Sequence, residues 1–178
     1  MITIIVGTNR NKSEAGKFAK HYEEALVNQG QNVNFIHLKD ISPHLYHAEM
    51  YDEPLDEYLL KLQDEIMIPT EKFIFVIPEY NGGMPGALKL YIDALSIRLR
   101  NETFSGKKAA IVGVSAGRAG NLRGMEHLTG VLNYLNTTVL PNRQPYSSIH
   151  KIMNKAGELI DEGSNKVLKQ HVEQIINF

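Results

Sequence analysis

Thr8, Arg10 and Ser13 stand between an apolar run and the start of a helical pattern. Two hydroxyls, a guanidinium and the N–H groups of Ser13, Glu14 and Ala15 at a helix start are groups that hold a phosphate monoester, because helix-end amides and a fork-shaped cation both match its oxygens. The same residues also compose an ordinary polar loop, with Ser13 as N-cap and Arg10 in solvent. Neither a Gly-Lys-Ser/Thr ending nor GxGxxG is present, which argues against ATP and against a dinucleotide held in the Rossmann manner. A second stretch, Pro78-Glu79-Tyr80-Asn81-Gly82-Gly83, suits a flat ligand. Its proline and glycines leave little side chain in the way and let main-chain N–H groups approach. Tyr80 is either core or a ring stacked on that ligand, and its place among loop glycines favours stacking. The third stretch, Ser115-Ala116-Gly117 with Arg118 and Gly120, reads by itself as a glycine-containing turn that opens a helix.

Other chemistries find less support. Glu79 and Asp93 are the carboxylates nearest to an acid–base pair, yet Asp93 lies within a helical pattern where an ion pair in solvent is commoner. The seven histidines show no HExxH spacing, and His44 with His47 is only a weak pair for a metal. There is no cysteine, so disulfides, thiolate metal sites and thiol catalysis are out, and redox chemistry would have to come from a bound cofactor. A formal net charge of -1 gives no electrostatic reason to expect nucleic acid or a membrane. The apolar runs are far shorter than a membrane span, and the first residues lack a signal peptide's pattern, so the expected compartment is the cytoplasm.

The three stretches follow apolar runs at 2–6, 73–77 and 109–114. Runs without polar alternation are strands buried on both faces, as in a parallel sheet covered by helices. Apolar residues at Ala15, Phe18, Ala19, Tyr22, Ala25 and Leu26 predict a helix, with Gly30 closing it. Val33, Phe35 and His37 predict an outer strand, 38–53 a long loop, and Leu55, Leu59, Leu62 and Ile66 a second helix ending near Pro69. After Pro85, Leu88, Tyr91, Ile92, Leu95 and Leu99 share one helical face, while Leu90, Ala94 and Ile97 form a second strip that asks for a second packing partner. Leu122, Met125, Leu128, Leu132 and Leu135 predict the next helix, 138–140 a short fifth strand, 142–154 a loop, and Val167, Leu168, His171, Val172, Ile175 and Ile176 the last helix. Alternation of this kind predicts one doubly wound α/β domain over residues 1–178, flavodoxin-like, with five parallel strands in the order 2-1-3-4-5. In that order the strands carrying the three loops are neighbours, so the loops line one crevice at the switch point.

The run from Pro78 to Lys89, PEYNGGMPGALK, followed by Ile92-Asp93, closely resembles the PEYNGSxPGxLKNAID segment of the NADPH-dependent FMN reductase family, which includes azoreductases and chromate and quinone reductases. Gly7-Thr8-Asn9-Arg10 with Ser13 is similar to its phosphate loop, and Ser115-Ala116-Gly117 with Gly120 and Arg123 to its third loop. The resemblance implies an FMN whose phosphate is held by Thr8, Arg10 and Ser13 with the amides of Glu14 and Ala15. The isoalloxazine would lie along Pro78, Glu79, Tyr80, Asn81 and Gly82, with Ser115, Ala116 and Gly117 near the pyrimidine end. It also implies NADPH or NADH as donor, a small-molecule acceptor, no dedicated catalytic side chain, loop amides from Tyr80 to Gly82 that stabilise charge on the ring, and a homodimer or homotetramer. Three positions depart from the pattern: Gly83 for Ser or Thr, Ala94 for a common Trp, and Glu14 for a frequent Asn. The alternatives on the same fold are an FMN-binding electron carrier and a phosphate-handling hydrolase; Arg118 is either a 2'-phosphate contact or a solvated loop arginine.

Overall fold

The computed structural model describes residues 1–41, 45 and 47–178. The predicted sheet is present: β1 (Ile2–Val6), β2 (Val33–His37), β3 (Lys72–Pro78), β4 (Lys108–Val114) and β5 (Thr138–Val139) run parallel in the order β2-β1-β3-β4-β5. Strand alternation splits the apolar runs between two cores. Ile5, Phe73, Phe75, Ile77 and Ile111 pack under α2 (Glu57–Leu62), α3 (Gly86–Leu95) and α5 (Leu122–Tyr134). Ile4, Val6, Ile74, Val76 and Val112 pack under α1 (Glu14–Val27) and α7 (Glu162–Asn177). No helix is long and apolar enough to cross a membrane among the described residues.

Several expectations need correction. The 142–154 segment is not loop: β6 (Gln144–Tyr146) pairs in parallel with β4, Val112 with Gln144 and Val114 with Tyr146, and α6 (Ile149–Ile152) follows. The fifth strand is therefore one edge interrupted over residues 140–143, with Pro141 in the gap, and resumed at Gln144, and an edge is where a strand proline such as Pro145 is tolerated. The helix after Pro85 stops at Leu95, so Leu99 leaves its face and adopts a left-handed conformation. Leu122, at the start of α5, is 55% exposed. Of the second strip, Leu90 and Ala94 lie on α3 and Ile97 beyond its end, and Ala94 and Ile97 line a small cavity with Leu45, Met50, Leu55 and Leu59. Within the 38–53 segment, Leu38–Asp40 forms a 3-10 turn; Pro43, His44 and Tyr46 lie outside the described residues, and the His44/His47 pair with them.

Two buried polar groups shape the helices. After α2 the chain widens into a π-helical turn, Gln63–Met67, that carries Gln63 into the core. Its amide donates to the carbonyls of Leu95 (3.0 Å), the last residue of α3, and of Arg98 (2.6 Å) in the bend that follows. Between α1 and α7, Tyr22 Oη lies 2.7 Å from His171 Nδ1, and His171 Nε2 lies 3.0 Å from the carbonyl of Asn142. The carbonyl can only accept, so Nε2 carries the proton and Nδ1 accepts from the tyrosine. Burial pushes the His171 pKa down to about 4. Below its ordinary pKa of about 6.5 the unfolded chain takes up a proton that the folded ring refuses. Stability is thus complete above about pH 6.5 and falls by up to roughly 3 kcal/mol as pH drops towards 4. Urea titrations of the wild type across that range should show a component absent from His171→Gln.

Candidate functional site

The loops after β1, β3 and β4 converge on one cavity of about 500 Å³ at the carboxyl ends of the strands. Arg10, Ser13, Glu14 and Ala15 line it from the first loop, Pro78 to Gly82 from the second, and Ser115, Ala116 and Gly117 from the third. Every expected residue except Thr8 is on its wall. Lys12, Val114 and Ile149 line it too. Lys12 lies in the same polar loop, but Ile149 belongs to the segment read as loop and carried no sequence signal.

The first loop is arranged as an anion cradle. Ser13 caps α1, its Oγ accepting the Gly16 N–H at 3.0 Å and its carbonyl the Lys17 N–H at 3.1 Å. The Glu14 and Ala15 N–H groups find no acceptor among the described residues, at the helix end where the macrodipole is positive. Among the described residues neither the Arg10 guanidinium nor the Lys12 ammonium makes an ion pair, while Glu14 is engaged by Lys17 at 2.9 Å. Among the described residues the cradle therefore has two cations outside any ion pair, while the acid at its own helix start is engaged. Behind it, His37 sits where a side chain on Gly16 would fall, 2.8 Å from Nε2. Burial, then the charge of Lys39, hold the His37 pKa below its usual value.

The second loop is a tight turn. Tyr80 N–H donates to the Gly83 carbonyl (3.1 Å) and Gly83 N–H to the Tyr80 carbonyl (3.0 Å). Asn81 (φ 50°) and Gly82 (φ 73°) both lie in the left-handed region, as a primed two-residue turn requires. The Tyr80 amide is consumed by this turn, so only those of Asn81 and Gly82 remain for a ligand. Beneath it, Tyr80 Oη is 2.6 Å from the Thr8 hydroxyl.

The third loop is held by the resumed edge strand. Ser115 N–H donates to Tyr146 O (3.0 Å), Ser148 N–H to Gly117 O (2.9 Å) and Ile149 N–H to Ser115 O (3.0 Å). Ser115 Oγ also accepts the Gly117 N–H at 2.9 Å. Arg118 is exposed and does not line the cavity. Asp93 lines a different space and grips Lys89 at 2.6 Å, which leaves Glu79 without a carboxylate partner.

That different space, about 770 Å³, is a groove between α3 and α5 with Ile92, Val131 and Leu135 on its wall and Tyr134, 78% exposed, at its rim. Its acids are engaged, Asp93 by Lys89 and Glu126 by Arg143. It is the larger space, but the free amides and the paired loops belong to the cavity.

The model of the family described as NADPH-dependent FMN reductase matches residues 1–151. The chain is similar to an NAD(P)H-dependent FMN reductase of Pseudomonas aeruginosa, 34% identical over 153 residues that cover 84% of this chain and 80% of that protein. It is also similar to a 2-hydroxy-1,4-benzoquinone reductase of a Burkholderia species, 27% identical across 97% of this chain and 92% of that one. Among solved structures, a flavoenzyme NAD(P)H:(acceptor) oxidoreductase from Paracoccus denitrificans superposes with a TM-score of 0.82 over 99% of this chain and 94% of that chain, at 23% identity, which bears on the fold.

Proposed function

The chain belongs to the NADPH-dependent FMN reductase family, and on that premise we infer that it holds FMN in the three-loop cavity and passes reducing equivalents from NAD(P)H to a small acceptor. The observation that carries this reading is the meeting of a free-amide, two-cation cradle with a glycine turn in one cavity. A phosphate monoester matches the cradle, and a flat ring matches the turn.

Arg10 and Ser13, with the Glu14 and Ala15 amides, would hold the phosphate, and Lys12 adds a second positive charge. Pro78 to Gly82 would carry the ring system, with Ser115, Ala116 and Gly117 at its far end. Bound FMN supplies the hydride and electron transfer that no side chain of a cysteine-free chain provides. The protein's part would be to bind and orient the ring, with the amides of Asn81 and Gly82 as donors towards negative charge on it. Donor and acceptor then use the same open side in turn, a ping-pong order that needs no side-chain acid or base. A quinone is the first acceptor to try, given the Burkholderia relative; free flavin, azo compounds and metal oxyanions are the others. The expected compartment is the cytoplasm, which cell fractionation tests.

The deciding experiment is an anaerobic absorption spectrum of the purified protein with FMN, followed after NADPH. Flavin bands should shift on binding, bleach within seconds and return when a quinone is added. A bound flavin that NADPH does not bleach would turn the reading into an electron carrier, and no binding would end it.

We also infer that a second copy of the chain covers the α3–α5 groove, whose apolar wall and exposed Tyr134 are otherwise left in water. Sedimentation should return the mass of two or four chains, and Tyr134→Glu should lower it; a single-chain mass for the wild type excludes this interface.

A further inference from the structure

Thr8 is the one residue expected to touch the phosphate that does not reach the cavity. It is fully buried, with a relative exposure of 0%. Its hydroxyl already has two partners: the Arg10 main-chain N–H at 3.2 Å and Tyr80 Oη at 2.6 Å. A threonine hydroxyl offers one proton and two lone pairs. Arg10 takes a lone pair, and Tyr80 takes either the second or the proton. With no exposed surface, whatever capacity remains does not meet a ligand.

Tyr80, in contrast, lines the cavity and is fixed twice. Its main chain is closed by the paired bonds to Gly83, and its phenol is anchored to the buried Thr8, 72 residues away in sequence. A phenol held only at its backbone turns about χ1; one held at both ends presents its ring at a fixed place on the wall. The pair thereby ties the loop after β1 to the loop after β3.

We propose that Thr8 is a positioning residue that bolts the Tyr80 ring to the cavity wall, and not a phosphate ligand. This rests on the reading of the cavity as an FMN site. The two roles differ in what they do to riboflavin, which has the ring and lacks the phosphate. A bolt supports the ring, so its loss weakens FMN and riboflavin by the same factor. A phosphate ligand acts on FMN alone.

The test is a set of four proteins, wild type, Thr8→Val, Tyr80→Phe and the double variant, with FMN and riboflavin affinities read by flavin fluorescence. Each single variant should weaken both flavins about three- to tenfold, with the FMN-to-riboflavin ratio unchanged in Tyr80→Phe, which removes only the bond to Thr8. The double variant should be no weaker than Thr8→Val alone, because the Thr8–Tyr80 bond is common to both changes, while Thr8→Val also removes the acceptor of the Arg10 N–H. Thr8→Ser, which keeps the hydroxyl, should bind like the wild type. Weakening of FMN with riboflavin spared would make Thr8 a phosphate ligand, and additive losses would dissolve the pair; either result overturns the proposal. Thermal melting of the same four full-length proteins without flavin gives an independent reading. Both single variants should melt lower than the wild type, Thr8→Val the more because it also frees the Arg10 N–H, and the double variant no lower than Thr8→Val. If the wild type bound no flavin, the FMN reading would fail while the melting cycle still judged the bolt.

Discussion

Gly113→Ala should lower stability by about 3 kcal/mol, the upper end of what overpacking costs. A methyl there would stand 2.3 Å from the Gly120 carbonyl oxygen and 2.8 Å from Met125 Sδ. The methionine can turn aside. The carbonyl is main chain, and Gly120 has its own constraint: at φ 61° it is packed so closely on Pro145 that a Cβ would fall 2.6 Å from that ring. The 115–120 loop would have to lift from β4, drawing Ser115 and Gly117 off the cavity wall. Urea unfolding at neutral pH reads the loss, and flavin affinity should fall with it. An unchanged midpoint would mean that the loop is far looser than its hydrogen bonds to Tyr146, Ser148 and Ile149 imply.

Arg10→Ala should have the largest effect on the ligand. Arg10 lines the cavity beside the free amides of α1, with no protein anion to hold it among the described residues. Loss of a charged hydrogen bond costs about 1.5 to 3 kcal/mol, which corresponds to roughly a 10- to 100-fold weaker FMN. Riboflavin should bind as before, since it offers nothing for the guanidinium. Equal FMN affinity in wild type and variant would remove Arg10 from the site, and Lys12 would become the cation to change next.

These expectations draw on features that differ in how plainly the chain displays them. The parallel strands were legible because strands buried on both faces need apolar runs, and residues 2–6, 73–77 and 109–114 supply them; their order and the meeting of the three loops came with the flavodoxin-like arrangement. That order brings the three loops to one crevice; which of their residues line it came with the family resemblance. The resumed edge strand was hidden because Gln144–Tyr146 is three residues long, contains a proline and pairs on one side only. Gln63 was hidden for another reason: it is polar, and its place in the core is set by the carbonyls at the end of α3, which no local pattern records. Thr8 was found as a site residue, but its partner lies in another loop, and a hydroxyl's type does not tell whether it faces a ligand or a neighbouring side chain.

The broken fifth strand has a consequence for how copies of this protein avoid one another. An open sheet ends in a row of unpaired main-chain groups that can recruit a foreign strand and seed aggregates. Here that border is two residues of β5, an interruption at Pro141, and three residues of β6 centred on Pro145, which has no N–H to offer. A would-be neighbour finds no stretch long enough to zip onto. The same interruption that delivers Tyr146 and Ile149 to the third loop thus also protects the sheet's margin against runaway growth.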